Sequence, residues 1–262
     1  MTFAFDLISD LHVESWPNFD WTDQPTAPYC VVAGDVSRDR KILLETLNHL
    51  GKIYLKVFYI DGNDEHRYFL NNLETSYSDI EQEISSIPNV VYMYDNVVVT
   101  EGVALIAVNG WWTFDFDPNL DLDQCVMWYQ NYVDCLSSTS AAVVNYAYSD
   151  VAYLCSNVQR LQTHSDVKKI VVISHTVPNS KITMHDVDLL NTWRYNCLGN
   201  NHLQEVFKAD TEKKIHTWCF GHYHKSVDQY IDGIRYVNNC RGRGDTPWSV
   251  PVYYPKRIEI LI

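Results

Sequence analysis

Phe3-Ala4-Phe5-Asp6-Leu7-Ile8-Ser9-Asp10-Leu11-His12 is an apolar run that stops on two metal-binding groups, and the same device recurs along the chain. Cys30-Val31-Val32 leads to Asp35 in A-G-D-V, and Val57-Phe58-Tyr59-Ile60 leads to Asn63 in G-N-D-E. Ile170-Val171-Val172-Ile173 leads to His175 in I-S-H-T, and Thr217-Trp218-Cys219-Phe220 leads to His222 and His224 in G-H-Y-H. Strands of an α/β sheet that is covered on both faces read as such β-branched runs. Ligands and catalytic groups then sit just past their C-terminal ends. The pattern therefore predicts an α/β fold that gathers four imidazoles, two carboxylates and one carboxamide on one rim of a sheet.

Imidazole nitrogen with carboxylate oxygen, and no thiolate, suits manganese, iron or zinc and disfavours a structural cysteine site. Asp10 and His12 are two apart, so in extended backbone their side chains leave on one face, and His222 and His224 repeat the arrangement. Seven ligands are too many for one tetrahedral ion and suit two ions that share a carboxylate. Asp35 is the natural bridge, because one carboxylate can offer an oxygen to each ion. Two ions about 3.5–4 Å apart can clamp a phosphoryl group and activate a water between them. The expected cofactors are two divalent ions, manganese first, with iron, zinc or nickel as alternatives.

With these residues in view, the chain resembles the calcineurin-like metallophosphoesterases. Their ordered signature is D-x-H, G-D, G-N-x-D/E, a lone His after a strand, and G-H-x-H, and all five blocks occur here between Asp10 and His224. Asn239-Cys240-Arg241-Gly242 is similar to the N-P-R-G that follows the last hairpin in small bacterial and phage members, with Cys240 replacing the proline. The resemblance implies a four-layer αββα sandwich of two sheets flanked by helices. It places Asp10, His12, Asp35 and His224 on one metal, and Asp35, Asn63, His175 and His222 on the other. It also implies hydrolysis of small phosphomonoesters or phosphodiesters, nucleotides and cyclic nucleotides included, by in-line attack of a metal-bridging hydroxide. A phosphoprotein phosphatase or nuclease with the same metal core, and a non-catalytic metal-binding scaffold, are the competing readings. Sequence pattern alone does not separate the sandwich from a doubly wound sheet.

One position departs from the pattern. Many members carry His directly after the Asn, where it assists the leaving group, and this chain has Asp64 followed by Glu65 and His66. An ordinary aspartate titrates near ~3.9 and nearby cations push it lower, so Asp64 should be a poor proton donor at neutral pH. The candidates for general acid are Asp64 itself, the adjacent His66, and His185, ten residues past the His175 ligand. Arg241 and Arg243, each beside a glycine in R-G-R-G-D, are candidate phosphate contacts, with an ordinary basic turn paired to an acid as the alternative. Trp111 and Trp112, in a segment similar to the G-x-T-L-W-T-D-F of small members, either wall the pocket and stack on a base or sugar or belong to the core.

The net charge of −13 is concentrated between Tyr68 and Gln159, where twelve acids meet no Lys or Arg. Such a surface repels a polyanion, so the expected partner is a small phosphorylated substrate and not duplex nucleic acid. The alternative is a merely solubilising face. Seven cysteines without regular spacing read as reduced thiols. No apolar stretch reaches the ~18–20 residues of a membrane span, and no basic segment precedes the first strand, so a cytoplasmic protein with no membrane association is expected.

Residues 1–262 read as a single domain, because the ligands are scattered from Asp10 to His224, with a helical, acidic and aromatic insertion at about 111–166. Helical spacing covers Ile42 to Leu50 behind Ser37 as N-cap, Ser78 to Ser86, Leu120 to Tyr132, and roughly Ser140 to Thr163. Glu101-Gly102 and Asp232-Gly233 are predicted hairpin turns, and Ile258 to Ile262 a closing strand. Five tyrosines on the insertion (129, 132, 146, 148 and 153) are expected to pack. The insertion could form a cap over the metals.

Overall fold

A computed structural model describes residues 2–17, 24–67, 73–132, 140–186, 188 and 192–262. Four apolar runs become parallel strands: β1 (Thr2–Ile8), β2 (Tyr29–Ala33), β3 (Lys56–Ile60) and β4 (Val90–Tyr92), paired in that order. Between β2 and β3 lies α1 (Arg40–Ile53), and between β3 and β4 lies α2 (Leu73–Ile84). The second sheet starts with the hairpin β5 (Val97–Thr100) and β6 (Val103–Val108). After α3 (Leu122–Tyr132) and α4 (Ser140–Gln162) come β7 (Lys169–Ser174), β8 (Ile215–Phe220), and the hairpin β9 (Val227–Ile231) and β10 (Ile234–Asn238). Its order is β5-β6-β7-β8-β10-β9, while β11 (Lys256–Leu261) returns to pair antiparallel with β1.

Period-two alternation within each strand explains the layers. Phe3, Phe5, Leu7, Val31, Ala33 and Phe58 point inward from the first sheet and meet Leu105, Ala107, Val171, Ile173 and Val237 of the second. Their neighbours Ile8, Cys30, Val32 and Tyr59 face outward, under Leu43, Leu47 and Leu50 of α1 and Tyr77, Ile80 and Ile84 of α2. On the far side Ala104, Ile106, Val172 and Trp218 lie under Val151, Leu154 and Val158 of α4. Helix, sheet, sheet, helix is thus the order of layers, as expected, and the doubly wound alternative is excluded.

Both predicted turns are present because their residues tolerate left-handed backbone: Glu101 and Gly102 have φ of 48° and 81°, Asp232 and Gly233 of 53° and 86°. The cap of α1 corrects the sequence reading. Asp39, not Ser37, accepts from the Ile42 N–H, while the Ser37 hydroxyl donates to Glu14. The insertion's helices form within a residue or two of the expected bounds, but α4 is a layer over the second sheet, and among the described residues α3 is the insertion helix that reaches the site, through Tyr129. Tyr132 has a side chain outside the described residues. The acidic stretch is not uniformly a surface either, since Asp117 and Asp150 are buried; Asp134 lies outside the described residues.

Candidate metal centre

The strands end where the chain must turn sharply to aim side chains at a common point. Asp10, His12, Asp35, His222 and His224 all have left-handed backbone, with φ between 42° and 65°. For residues with a Cβ this costs of order 1 kcal/mol or more each, and such strain persists where surrounding contacts fix it. Those contacts join the ligand loops to one another. Asp10 N–H donates to Gly34 O at 2.9 Å, His12 N–H to Asp35 O at 3.1 Å, and His222 N–H to Asp10 Oδ1 at 2.8 Å. Glycine is required before three of the candidate ligands: a Cβ on Gly34 would collide with the His175 ring, one on Gly62 with Asp35 Oδ1, and one on Gly221 with the Ala33 carbonyl and Asp10 Oδ2.

All seven predicted ligands converge. His12 Nε2 lies 3.0 Å from His224 Nε2 and 3.7 Å from Asp35 Oδ2, and His224 Nε2 lies 3.3 Å from Asp10 Oδ1. On the other side, His175 Nε2 lies 3.4 Å from Asp35 Oδ1 and 3.1 Å from Asn63 Oδ1. Asp10, His12, Asp35 and His224 make one group able to hold an ion, and Asp35, His175 and His222 make another. Asp35 belongs to both, with one oxygen toward each.

The donor set fits divalent cations on several counts. His175 Nδ1 is 2.9 Å from the Ala33 carbonyl and His222 Nε2 is 3.1 Å from the Cys197 carbonyl, so each ring has one nitrogen occupied and the other free to face inward. Asp10 Oδ2 is buried with no hydrogen-bond partner. Burial and the neighbouring His175 push His222 down to about 4, leaving it a neutral ligand at pH 7. Burial would also lower His175, but the Asp35 charge and hydrogen bond prevail and push it up to about 10. Burial would raise Asp35, yet His175, His12 and His222 hold it well below the carboxylate range. The cluster favours positive charge, which is what metal ions supply.

Glu65 is a site residue that sequence reasoning passed over. Its buried carboxylate accepts four backbone N–H groups: Val36 at 2.6 Å and Ser37 at 3.3 Å on one oxygen, Gly62 at 2.7 Å and Asp35 at 3.0 Å on the other. It thereby ties the Asp35 loop to the Asn63 loop. Burial and the facing Asp35 carboxylate push its acid up. Four donors leave no acceptor for a carboxyl hydrogen and favour the anion, and the donor count is the stronger argument. The E of G-N-D-E was the only signal available.

The three general-acid candidates are dispersed. Asp64 is buried between His12 and Arg243, with its Oδ2 3.3 Å from His12 Nδ1 and ion-paired to the Arg243 guanidinium. Burial and Asp35 would raise it, but His12 and Arg243 outweigh them and keep it below the usual carboxylate range. His66 points away from the ligands, with Nε2 2.7 Å from Asp61 and Nδ1 2.8 Å from Ser76 Oγ. His185 is exposed and does not line the cleft.

The substrate-contact candidates divide in the same way. Trp112 stacks on the His222 ring, centroids 5.6 Å apart at 16°, and lines a cleft of about 510 Å³ beside Asn63, His222 and His224. Trp111 is wholly buried and donates its indole N–H to Tyr77. Arg241 is buried over the Trp16 ring at 4.1 Å. Arg243 reaches Asp64 because its tail pairs with the first ligand loop, Gly242 N–H donating to Asp10 O at 2.9 Å. Of the rest of the cleft, Tyr129, Trp193, Arg194, Lys225 and Trp248 were not anticipated as lining residues. These residues come from four separate segments, and no local pattern marks them.

Fold and site together define a metallophosphoesterase-like sandwich holding a buried His and Asp cluster. No family model matches the sequence, and no curated protein matches it. Among solved structures, the chain is similar to phosphopantetheinyl hydrolase from Mycobacterium tuberculosis, at 18% identity over 97% of this chain and 98% of that one, with a TM-score of 0.71. It is also similar to a Staphylococcus aureus protein assigned as a 5'-nucleotidase, at 14% identity over 91% of this chain and 48% of that one, with a TM-score of 0.51. This chain thus spans about half of the second neighbour. At such identities the likeness is one of fold.

Proposed function

We propose that this protein is a calcineurin-like phosphoesterase that uses two divalent ions, manganese first among them, to hydrolyse small phosphomonoesters or phosphodiesters. One observation carries the reading: Asp35 directs Oδ2 toward His12 and Oδ1 toward His175, the arrangement of a carboxylate shared by two ions. Asp10, His12 and His224 would complete one ion's ligands, and Asn63, His175 and His222 the other's. Bound there, the ions would polarise phosphoryl oxygens and supply a nucleophilic water near neutral pH.

The protein's own groups do the rest. The carbonyls of Ala33 and Cys197 hold His175 and His222 in fixed tautomers, and Glu65 fixes the spacing of the Asp35 and Asn63 loops. Trp112 and Tyr129 form an apolar wall for the organic part of the ester, while among the described residues Arg194 is the cation that the cleft presents, since Lys225 is paired with Asp186 at 2.5 Å and Asp188 also lines the cleft. Asp64 is an anion pinned by Arg243, so the leaving oxygen departs without a carboxylic acid at that position.

The names of the two fold neighbours, phosphopantetheinyl hydrolase and 5'-nucleotidase, agree with a small phosphorylated substrate. Among the described residues no helix is long and apolar enough to cross a membrane, and the six described cysteines are free thiols. The test is a panel of phosphate mono- and diesters with added manganese, scored alongside metal content. Turnover of small esters that vanishes with a chelator and returns with manganese is expected. Two bound ions with no turnover on any ester would favour a scaffold, and turnover only on long duplex DNA would favour a nuclease.

A further inference from the structure

Asp64 occupies the position where the resemblance leads one to expect an imidazole, and its contacts show a different use for the site. His12 is fully buried, and its Nε2 faces the cluster, 3.0 Å from His224 Nε2 and 3.7 Å from Asp35 Oδ2. Its other ring nitrogen, Nδ1, lies 3.3 Å from Asp64 Oδ2, and no aligned hydrogen bond claims it among the described residues. An imidazole can offer a lone pair at Nε2 only when the ring hydrogen sits on Nδ1. A carboxylate beside Nδ1 stabilises that tautomer and makes the opposite nitrogen a better ligand. His175 and His222 have main-chain carbonyls in this role.

We propose that Asp64 is a positioning residue, whose carboxylate holds His12 in the tautomer that presents Nε2 to the first metal group, and that Arg243 in turn holds Asp64. The inference rests on the metal-centre reading above. A carboxylate as buried as Asp64, with Asp35 close by, needs compensating cations: the Arg243 guanidinium meets Oδ2, the oxygen that faces His12, and Arg67 lies 3.5 Å from Oδ1. The Arg243 tail is anchored to the same ligand loop, through Arg241 N–H to Ser9 O at 3.2 Å and Gly242 N–H to Asp10 O at 2.9 Å. Arg243, Asp64 and His12 therefore form a chain from the C-terminal tail to the cluster. Glu14 lies within 4.8 Å of His12 and Asp64, so it is the control acid, but its oxygens already face Ser37 and Arg38.

The experiment compares wild type, Asp64→Asn, Arg243→Ala and Glu14→Gln. Manganese affinities at both sites come from calorimetry, and the His12 ring-nitrogen resonances from NMR of the zinc-loaded protein. Asp64→Asn is near-isosteric and should weaken the first ion about 10- to 100-fold while moving the second less than about 3-fold. The His12 Nδ1–H signal should shift or broaden in the same variant. Arg243→Ala should weaken the first ion by a smaller factor, and Glu14→Gln should leave it unchanged. Unaltered first-ion binding in Asp64→Asn, equal loss at both ions, or a wild-type His12 bearing its hydrogen on Nε2 would overturn the inference. Wild-type protein that takes up no metal would overturn the metal-centre reading with it, which separates the two failures.

Discussion

Replacing Glu65 by Gln tests whether one buried carboxylate holds two ligand loops together. Each carboxylate oxygen accepts two main-chain N–H groups, from Val36 and Ser37 on one side and from Gly62 and Asp35 on the other. A carboxamide has one accepting oxygen, so in either flip its NH2 must face two donors. Each buried donor left without an acceptor costs ~1–3 kcal/mol, so two cost roughly 2–6 kcal/mol. For a chain of this size about 1 kcal/mol moves the melting temperature by roughly 2–4 °C, which predicts a fall of about 5–20 °C. The melt is run with chelator, so that loss of metal does not enter, and metal affinity is measured separately. Both ions should bind more weakly, since Asp35 serves one group and Asp35 with Asn63 the other. A variant within about 0.5 kcal/mol of wild type, with normal metal binding, would mean that Glu65 carries a proton in the fold and that the donor count was misapplied.

Four further outcomes are expected. Metal analysis should approach two equivalents for wild type, with Asp35→Asn weakening both ions, His224→Ala mainly the first and His175→Ala mainly the second; equal loss in all three would undo the assignment of groups. Burial raises Asp150 to about 8, so the folded state holds its proton more tightly than the unfolded chain does; the associated stability is complete below about pH 4 and lost as pH rises toward 8. Asp150→Asn should therefore gain on wild type in thermal melts between pH 5 and pH 9, and parallel curves would show that Asp150 is not titrating there. With Asp64 ionised, aryl esters should outpace alkyl esters by more than in a relative with His at that position, since general-acid help is worth roughly 10² to 10⁴ on a poor leaving group. Asp64→His, assayed at saturating manganese, should narrow the gap by accelerating the alkyl ester; an unchanged ratio would show that leaving-group protonation is not limiting. Long duplex DNA at physiological salt should be cleaved far more slowly than small esters, and the opposite ranking would remove the argument from charge.

The acidic stretch shows how a composition argument can mislead in detail. Asp150 counts as one of twelve acids in a run without a cation, yet it is buried on α4, where it accepts the Gly110 N–H at 2.7 Å. The same holds for Trp111 and Trp112, adjacent in sequence and opposite in role. The first is sealed against Tyr77, and the second lies flat on His222 at the cleft. Alternation separates two such neighbours, but it does not tell which face meets the ligand.

By itself the sequence marked every strand but the three-residue β4, the two hairpins and the seven candidate ligands, because each is a short-range property. A β-branched run specifies a covered strand, Glu101-Gly102 and Asp232-Gly233 specify left-handed turns, and a glycine before each of Asp35, Asn63 and His222 marks a close approach. What joins the ligands into one site was decided by tertiary structure. Ser37 lost the helix cap to Asp39 because Glu14, 23 positions earlier, took its hydroxyl. Glu65 became the clamp between loops because β2 and β3 end side by side. Asp64 met Arg243, 179 positions away, because the tail lies against the β1 loop. The cleft of Tyr129, Trp193, Lys225 and Trp248 likewise exists only once separate loops pack on one rim. Periodicity and turn chemistry are written in neighbouring residues, whereas a buried charge finds its partner through the packing of whole layers, and that information is spread over the entire chain.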